Sequence, residues 1–322
     1  NCLTCNTCVE FCPRGIEIID LTKAVRSFNL DSDQAPAYLK TPLKSLENKG
    51  NPWNGDPEKR LDWLKNIEIP TFSAENDYCL FTCCTTAYDN SPTSGSQKAG
   101  QALVNLLKIA DISFGSFGKN ELCCGDIANK TGAKEIASEL VEKNTNQFLE
   151  AGVQKIVTTS PHCLNAFKKD YPDLNDTIKK EHYVELLSKL ISDDRLKPQK
   201  ELNCKVTYHD PCYLGRYNSI YEEPRQILKS IPGLELVEMK NNRERSLCCG
   251  GGGSGAFKNQ ARGESLGELR INQALDEGVN IIATACPYCI RMLNEAIQKM
   301  GVQKKIAVND VAELLIQSVD NH

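Results

Sequence analysis

Nothing in these 322 residues approaches the roughly 18 consecutive apolar side chains of a membrane span, and no charged-then-apolar signal segment opens the chain. The visible chain is therefore expected to be soluble. Long blocks of one charge are missing too: 38 basic residues stand against 42 acidic ones, a formal charge of −4. That excludes the basic footprint of a nucleic-acid partner. An initiator methionine is absent. The chain begins at Asn1, one residue before its first motif cysteine, so further residues are expected upstream, with any targeting signal among them. The length itself favours two or three domains over one small fold.

What the sequence does have is sixteen cysteines. Disulfide scaffolds are usually short and secreted, and this chain is neither. Its cysteines fall in tight clusters, including Cys83-Cys84, Cys123-Cys124 and Cys248-Cys249, which suit shared metal centres in a reducing, cytoplasmic compartment better than stapled loops.

Cys2, Cys5, Cys8 and Cys12 follow the spacing C-x2-C-x2-C-x3-C with Pro13 next. Thiolates hold the irons of a cubic four-iron cluster, and cysteines this close grip three corners of one cube without straining the backbone. In two-cluster ferredoxins the fourth cysteine serves the other cluster, so Cys12 is assigned either to this cube or to a second one. A structural zinc site is the competing reading, which the three short gaps and Pro13 disfavour.

From Asp77 a repeat emerges. In the first copy 38 residues separate Cys84 from Cys123, and 35 separate Cys124 from Ser160-Pro161-His162-Cys163. In the second, 35 separate Cys212 from Cys248, and 36 separate Cys249 from Cys286-Pro287-Tyr288-Cys289. Short apolar runs at Tyr78–Phe81, Lys155–Thr159, Lys205–Tyr208, Leu234–Glu238 and Asn280–Thr284 predict buried strands. Helix-period segments at Gln97–Ile109, Ala133–Leu149, Ser265–Asp276 and Ile290–Met300 alternate with them. The fold class is thus α/β, two duplicated units with parallel-type sheets behind a ferredoxin-like segment. The domains are expected at 1–39 (cluster-binding segment), 40–76 (a Pro-, Asn- and Gly-rich linker), 77–200 and 201–322.

These two copies of C-x(about 35)-C-C-G-x(about 35)-C-x-x-C resemble the cysteine-rich "CCG" domain of heterodisulfide reductases and related iron–sulfur oxidoreductases. A ferredoxin-type module followed by two such domains is similar to the D-type heterodisulfide reductase subunit, to the K subunit of sulfite-reductase membrane complexes, and to oxidoreductases linking electron-transferring flavoproteins to quinone. The resemblance implies a non-cubane four-iron cluster on Cys212, Cys248, Cys249, Cys286 and Cys289. The first copy departs from the pattern at Ser160. Its Cys84, Cys123, Cys124 and Cys163 then either hold a degenerate site, with His162 helping, or belong to a vestigial scaffold; the scaffold is expected, and with it no matching cluster.

Gly250, Gly251 and Gly252 open a formal G-x-G-x-x-G, but the run follows two cysteines rather than a strand. Side-chain-free backbone there is expected to approach a cluster and aim N–H groups at its sulfurs. His209, three residues before Cys212, is a candidate proton donor; the alternative is a loop-shaping hydrogen bond. Arg216 and Arg245 are candidates for an anionic substrate, or simply solvated. Cys79, Cys83 and Cys204 fit no pattern and read as small buried residues.

The resemblance implies an oxidoreductase subunit that receives single electrons at the ferredoxin-type cluster. It passes them to the non-cubane cluster, where a thiol/disulfide couple is reduced or formed. The alternative is a relay between a flavoprotein and a quinone-linked membrane partner. Implied partners are other redox subunits (a flavoprotein, a ferredoxin-like or a cytochrome b-type membrane subunit) and a small thiol or disulfide. The expected location is the cytoplasm, or the cytoplasmic face of the membrane through a partner.

Overall fold

The computed structural model describes residues 2–174, 176–258 and 265–319. Each repeat builds one four-stranded, all-parallel sheet. The first comprises β1 (Tyr78–Phe81), β2 (Phe114–Gly115), β3 (Lys155–Thr158) and β4 (Lys179–His182), ordered β2-β1-β3-β4. The second comprises β5 (Cys204–Tyr208), β6 (Leu234–Leu236), β7 (Ile281–Thr284) and β8 (Ala307–Asp310), ordered β6-β5-β7-β8. Parallel strands covered on both faces need continuous apolar runs, which β1 and β3 supply. The expected α/β class with parallel sheets is what the chain adopts.

Three strands have no counterpart among those expected from the sequence. β2 is two residues long; β4 and β8 are edge strands, and β4 reads Lys-Lys-Glu-His. Edges tolerate polarity that a central strand does not, so hydrophobic patterning passes over them.

Helix packing between the repeats is reciprocal. Ser96–Ile109, the long helix after β1, packs on Val311–Ser318, the last helix of the second repeat; Glu222–Ser230 packs in turn on Tyr183–Ser192 of the first. The repeats are thereby related by an approximate two-fold exchange. The Tyr183 hydroxyl donates across this boundary to Asp310 at 2.6 Å.

Residues 40–76, expected as a linker, form a packed strap. Helix Lys40–Lys49 buries Ser45 and Leu46, and Trp63 and Leu64 enter the main core. The turn residues are real: Gly50 ends the helix at φ +64, and its carbonyl accepts from the Cys123 N–H at 2.7 Å. They shape a rigid path. Its apolar contacts are too irregular in spacing to register as a helix or strand period.

His182 and Asp310 occupy matching positions, pairing with Thr158 and Thr284. Burial, with a smaller contribution from Lys168, pushes His182 down to about 3. The unfolded chain takes up a proton near pH 6.5 that the folded chain refuses, so stability is complete above that pH and falls as pH drops towards 3. We expect the wild type to lose about 2 kcal/mol more than His182→Phe between pH 7.5 and 5. Urea midpoints at several pH values check this; parallel curves would exclude His182 as the titrating group.

Candidate metal centres

The cysteine motifs sit where strands end, at the ligand-gathering edge of an open α/β sheet. In the second repeat Cys212 follows β5 and Cys286 follows β7, at the N-terminus of helix Pro287–Met300. Their sulfurs form one chain of contacts. Cys212 bonds to Cys248, Cys248 to Cys249, Cys249 to Cys289 at 3.3 Å, and Cys289 to Cys286. All five are buried free thiols. Gly250, at φ +99, turns its N–H back onto the Cys248 sulfur at 3.3 Å. Soft donors this dense, with N–H groups aimed at sulfur, fit an iron–sulfur cluster.

The rest of the glycine run does something else. A Cβ on Gly252 would stand 2.4 Å from the Leu3 carbonyl oxygen, and one on Gly253 2.8 Å from that of Cys2. These glycines let the N-terminal cysteine segment lie against the second repeat. No nucleotide loop is formed, since the run leads into a short turn at Gly255–Phe257 rather than a long helix.

That docking is tight. Cys5 hydrogen-bonds to Cys248, which pushes the Cys5 thiol up, with burial adding to it. Thr4 Oγ1 and Tyr213 Oη are 2.9 Å apart, and the Tyr217 hydroxyl donates to the Thr4 carbonyl at 2.8 Å. Arg216 donates to the carbonyls of Cys5, Glu244 and Ser246 at 2.7–3.0 Å. It is a staple for this segment, neither the anion site nor the solvated side chain considered from the sequence. Arg245 is exposed beside Glu244. Cys2 accepts the Thr4 N–H at 3.3 Å, and Cys8 is exposed. Cys12 lies in a separate turn, where the N–H groups of Ile16 and Arg14 pull its thiol below the ordinary range.

His209 is fully buried. Its Nδ1 accepts from Arg270 Nε at 3.1 Å, which leaves the ring proton on Nε2, and a ring nitrogen lies within 4.8 Å of the Cys249 and Cys289 sulfurs. Burial, then Arg270, pushes it down to about 3. The ring is neutral and held by a hydrogen bond, which favours the loop-shaping alternative over proton donation. Asp210 beside it is clamped by the buried Arg225 at 2.7 and 3.0 Å.

In the first repeat Cys84, Cys123, Cys124 and Cys163 also come together. Gly125, at φ +83, donates to Cys123 Sγ at 3.5 Å, and Asn144 and Tyr171 hold the Cys123 and Cys124 carbonyls at 2.9 and 3.1 Å. Ser160 caps helix Pro161–Lys169, accepting the His162 N–H at 3.3 Å. Two further residues lie outside the donor set expected for this repeat. Arg60, in the strap, is buried, ion-paired to Glu121, and points both terminal nitrogens at the Cys84 sulfur at 3.8 Å. Cys83 lies beside Cys163 and Ser160, and the Cys163 contact pushes it down to about 7. Cys79 shows no such contact and is a buried core residue as expected, whereas Cys204, expected to be buried, is only half-buried at the start of β5.

The two centres meet at His162. Its Nδ1 bonds to Asp126 Oδ2 at 2.9 Å, its ring also bonds to Cys286, and it stacks on Tyr213 at 3.7 Å. Burial opposes a charge there, yet Asp126 and then Cys286 more than offset it and push His162 up to about 10.

The cysteine-rich domain family matches residues 78–168 and 206–294, the two repeats. The chain is 36% identical to the probable iron-sulfur-binding oxidoreductase FadF of Bacillus subtilis and 32% identical to the EtfAB:quinone oxidoreductase of Syntrophomonas wolfei. Each alignment covers 99% of this chain and 46% of the relative. It is 30% identical to the D-type subunit of the dihydromethanophenazine:CoB–CoM heterodisulfide reductase of Methanosarcina barkeri, over 99% of this chain and 77% of that one. The chain thus spans about half the length of the first two relatives.

Proposed function

The chain belongs to the cysteine-rich (CCG) domain family of iron–sulfur oxidoreductases, and from that premise we propose that it relays single electrons. They pass from a cubic four-iron cluster on Cys2, Cys5 and Cys8 to a non-cubane one on Cys212, Cys248, Cys249, Cys286 and Cys289. Clusters on these residues supply one-electron redox chemistry. The observation that carries the relay is the Cys5–Cys248 contact, which sets the first motif directly against the second. Arg216, Tyr213 and Tyr217 hold it there.

The outer end of the path is built for a protein. Phe11, Ile16, Leu21, Val25 and Phe28, on or just after the ferredoxin-type motif, are 47–68% exposed. Such a patch suits a redox partner, for which the names of the relatives suggest a flavoprotein on one side and a quinone-linked subunit on the other. No helix among the described residues is long and apolar enough to cross a membrane. Attachment to a membrane is therefore assigned to a partner or to another part of the protein.

Relay is favoured over disulfide turnover by burial. The five second-repeat cysteines are at most 7% exposed, and Trp53, Phe257, Tyr288 and Met292 pack over three of them. The complete five-cysteine set supports the second reading, in which a disulfide takes up two electrons and two protons to give two thiols. Anaerobic iron and sulfide analysis with freeze-quenched paramagnetic resonance tests both. We expect iron, no stoichiometric zinc, and reduction of the second-repeat signal after the first. Gly252→Val, which pushes Leu3 away, should slow that second reduction about tenfold or more. Zinc without iron overturns the proposal. A new signal that appears only with added disulfide selects the second reading.

A further inference from the structure

We infer that the first repeat is a complete five-thiolate metal site, in which Cys83 replaces the cysteine lost at Ser160. The inference rests on the reading that the second repeat holds an iron–sulfur cluster, and it adds a second centre to it.

Strand register fixes the correspondence. Thr158 faces His182 as Thr284 faces Asp310, which makes Ile156 and Ile282 equivalent; Cys79 pairs with the first and Thr207 with the second. Following both chains onward, Cys84 falls on Cys212 and Cys83 on Pro211. Ser160 and Cys286 are equivalent as well, each standing just before a helix that starts with proline. The repeats therefore differ by a paired exchange. Where the second has proline and cysteine, the first has Cys83 and Ser160, so the number of thiols is unchanged.

The order of sulfur contacts carries the argument further. In the second repeat it runs Cys212, Cys248, Cys249, Cys289, Cys286. In the first it runs Cys84, Cys123, Cys124, Cys163, Cys83. Cys83 thus takes the terminal place of Cys286, next to the Ser160 hydroxyl that stands where the missing sulfur would be.

Backbone geometry agrees. Cys83 sits at φ +62, ψ 138, a conformation that side-chain-bearing residues rarely adopt and that proline cannot. Such strain persists where the surroundings require it, commonly at functional sites. A cysteine serving only as a small buried residue gains nothing from this position, and glycine would hold it without strain. Arg60, whose charge is paired with Glu121, also sets both terminal nitrogens 3.8 Å from the Cys84 sulfur, a donor arrangement that suits a thiolate there.

The test compares iron and acid-labile sulfide per chain, with Mössbauer and paramagnetic resonance spectra, across variants of the whole protein. Cys83→Ser should lose about four irons and their sulfides while the second-repeat signals persist. Cys79→Ser, a buried strand cysteine in the same core, should lose none and so controls for damage to the fold. Ser160→Cys added to Cys83→Ser should restore the lost iron by returning a thiol to the usual place. Wild-type iron in Cys83→Ser overturns the inference; so does iron loss that Ser160→Cys does not recover. Iron that Cys286→Ser removes and Cys83→Ser leaves intact defeats this inference alone, whereas absence of iron from the wild type defeats the proposed function with it.

Discussion

Cys286→Ser is expected to abolish the second-repeat centre while leaving the fold intact. The protein already shows what serine does at this place. Ser160, in the equivalent position, caps its helix by accepting the His162 N–H at 3.3 Å, with Pro161 at the first helical residue. Cys286 makes no such cap before Pro287, so serine there meets a local geometry that favours it. The loss is in the donor set: a hydroxyl is a much poorer iron ligand, and Cys286 ends the sulfur chain with bonds to Cys289 and His162. In the first repeat a neighbouring thiol fills the matching gap, but the residue that would have to do so here is Pro211. We expect loss of the second-repeat resonance signal and at least about a 100-fold fall in electron transfer through the chain. With the clusters removed from both proteins, the thermal midpoint of the variant should be unchanged or slightly raised. A variant that kept both the signal and the rate would remove Cys286 from the site.

Much of this arrangement is legible in the sequence because metal-binding cysteines need fixed spacing, and spacing survives there. The duplication follows on that ground; the parallel α/β units follow from the apolar runs and helix-period segments, and the five-cysteine set that converges in the second repeat from the family resemblance. What spacing hides is substitution in space. Cys83 looks incidental because a motif anchored on Cys84 has no place for the residue before it. Arg60 lies in a stretch whose turns suggest a linker, and only folding carries it to the Cys84 sulfur. Gly252 reads as part of a cluster loop, yet the backbone that it and Gly253 admit is that of Cys2 and Leu3, from the far end of the chain. Arg216 is visible in the sequence as a charge; the three carbonyls that it reaches are not. Contacts between segments 200 residues apart carry no local periodicity, so the link between the ferredoxin-type motif and the second repeat emerges only in three dimensions.

His162 is the other such contact, and its replacement should shift the potential of the second-repeat centre. The residue belongs to the first repeat by sequence, adjoining Cys163, but its ring bonds to Cys286 of the second. Asp126 holds Nδ1 at 2.9 Å and so directs the opposite side of the ring towards the sulfur, while Tyr213 stacks beneath it. An N–H donated to a ligand sulfur stabilises the reduced, more negative state and raises the reduction potential. A hydrogen bond to a charged group contributes about 1.5–3 kcal/mol. For a one-electron couple this corresponds to about 65–130 mV. His162→Phe retains the stacking surface and deletes both hydrogen bonds, so the potential should fall by up to that amount, the part of the bond that strengthens on reduction. His162→Gln, which can still donate an N–H, should recover part of the shift. The fall should also slow electron transfer from the ferredoxin-type motif, because the acceptor becomes harder to reduce. Redox titration followed by paramagnetic resonance measures both variants against Asp126→Asn, which weakens the hold on the ring without touching Cys286. An unchanged potential in His162→Phe would mean that the ring only fills space between the repeats. A graded fall from Asp126→Asn to His162→Phe would show the first repeat tuning the second through one side chain.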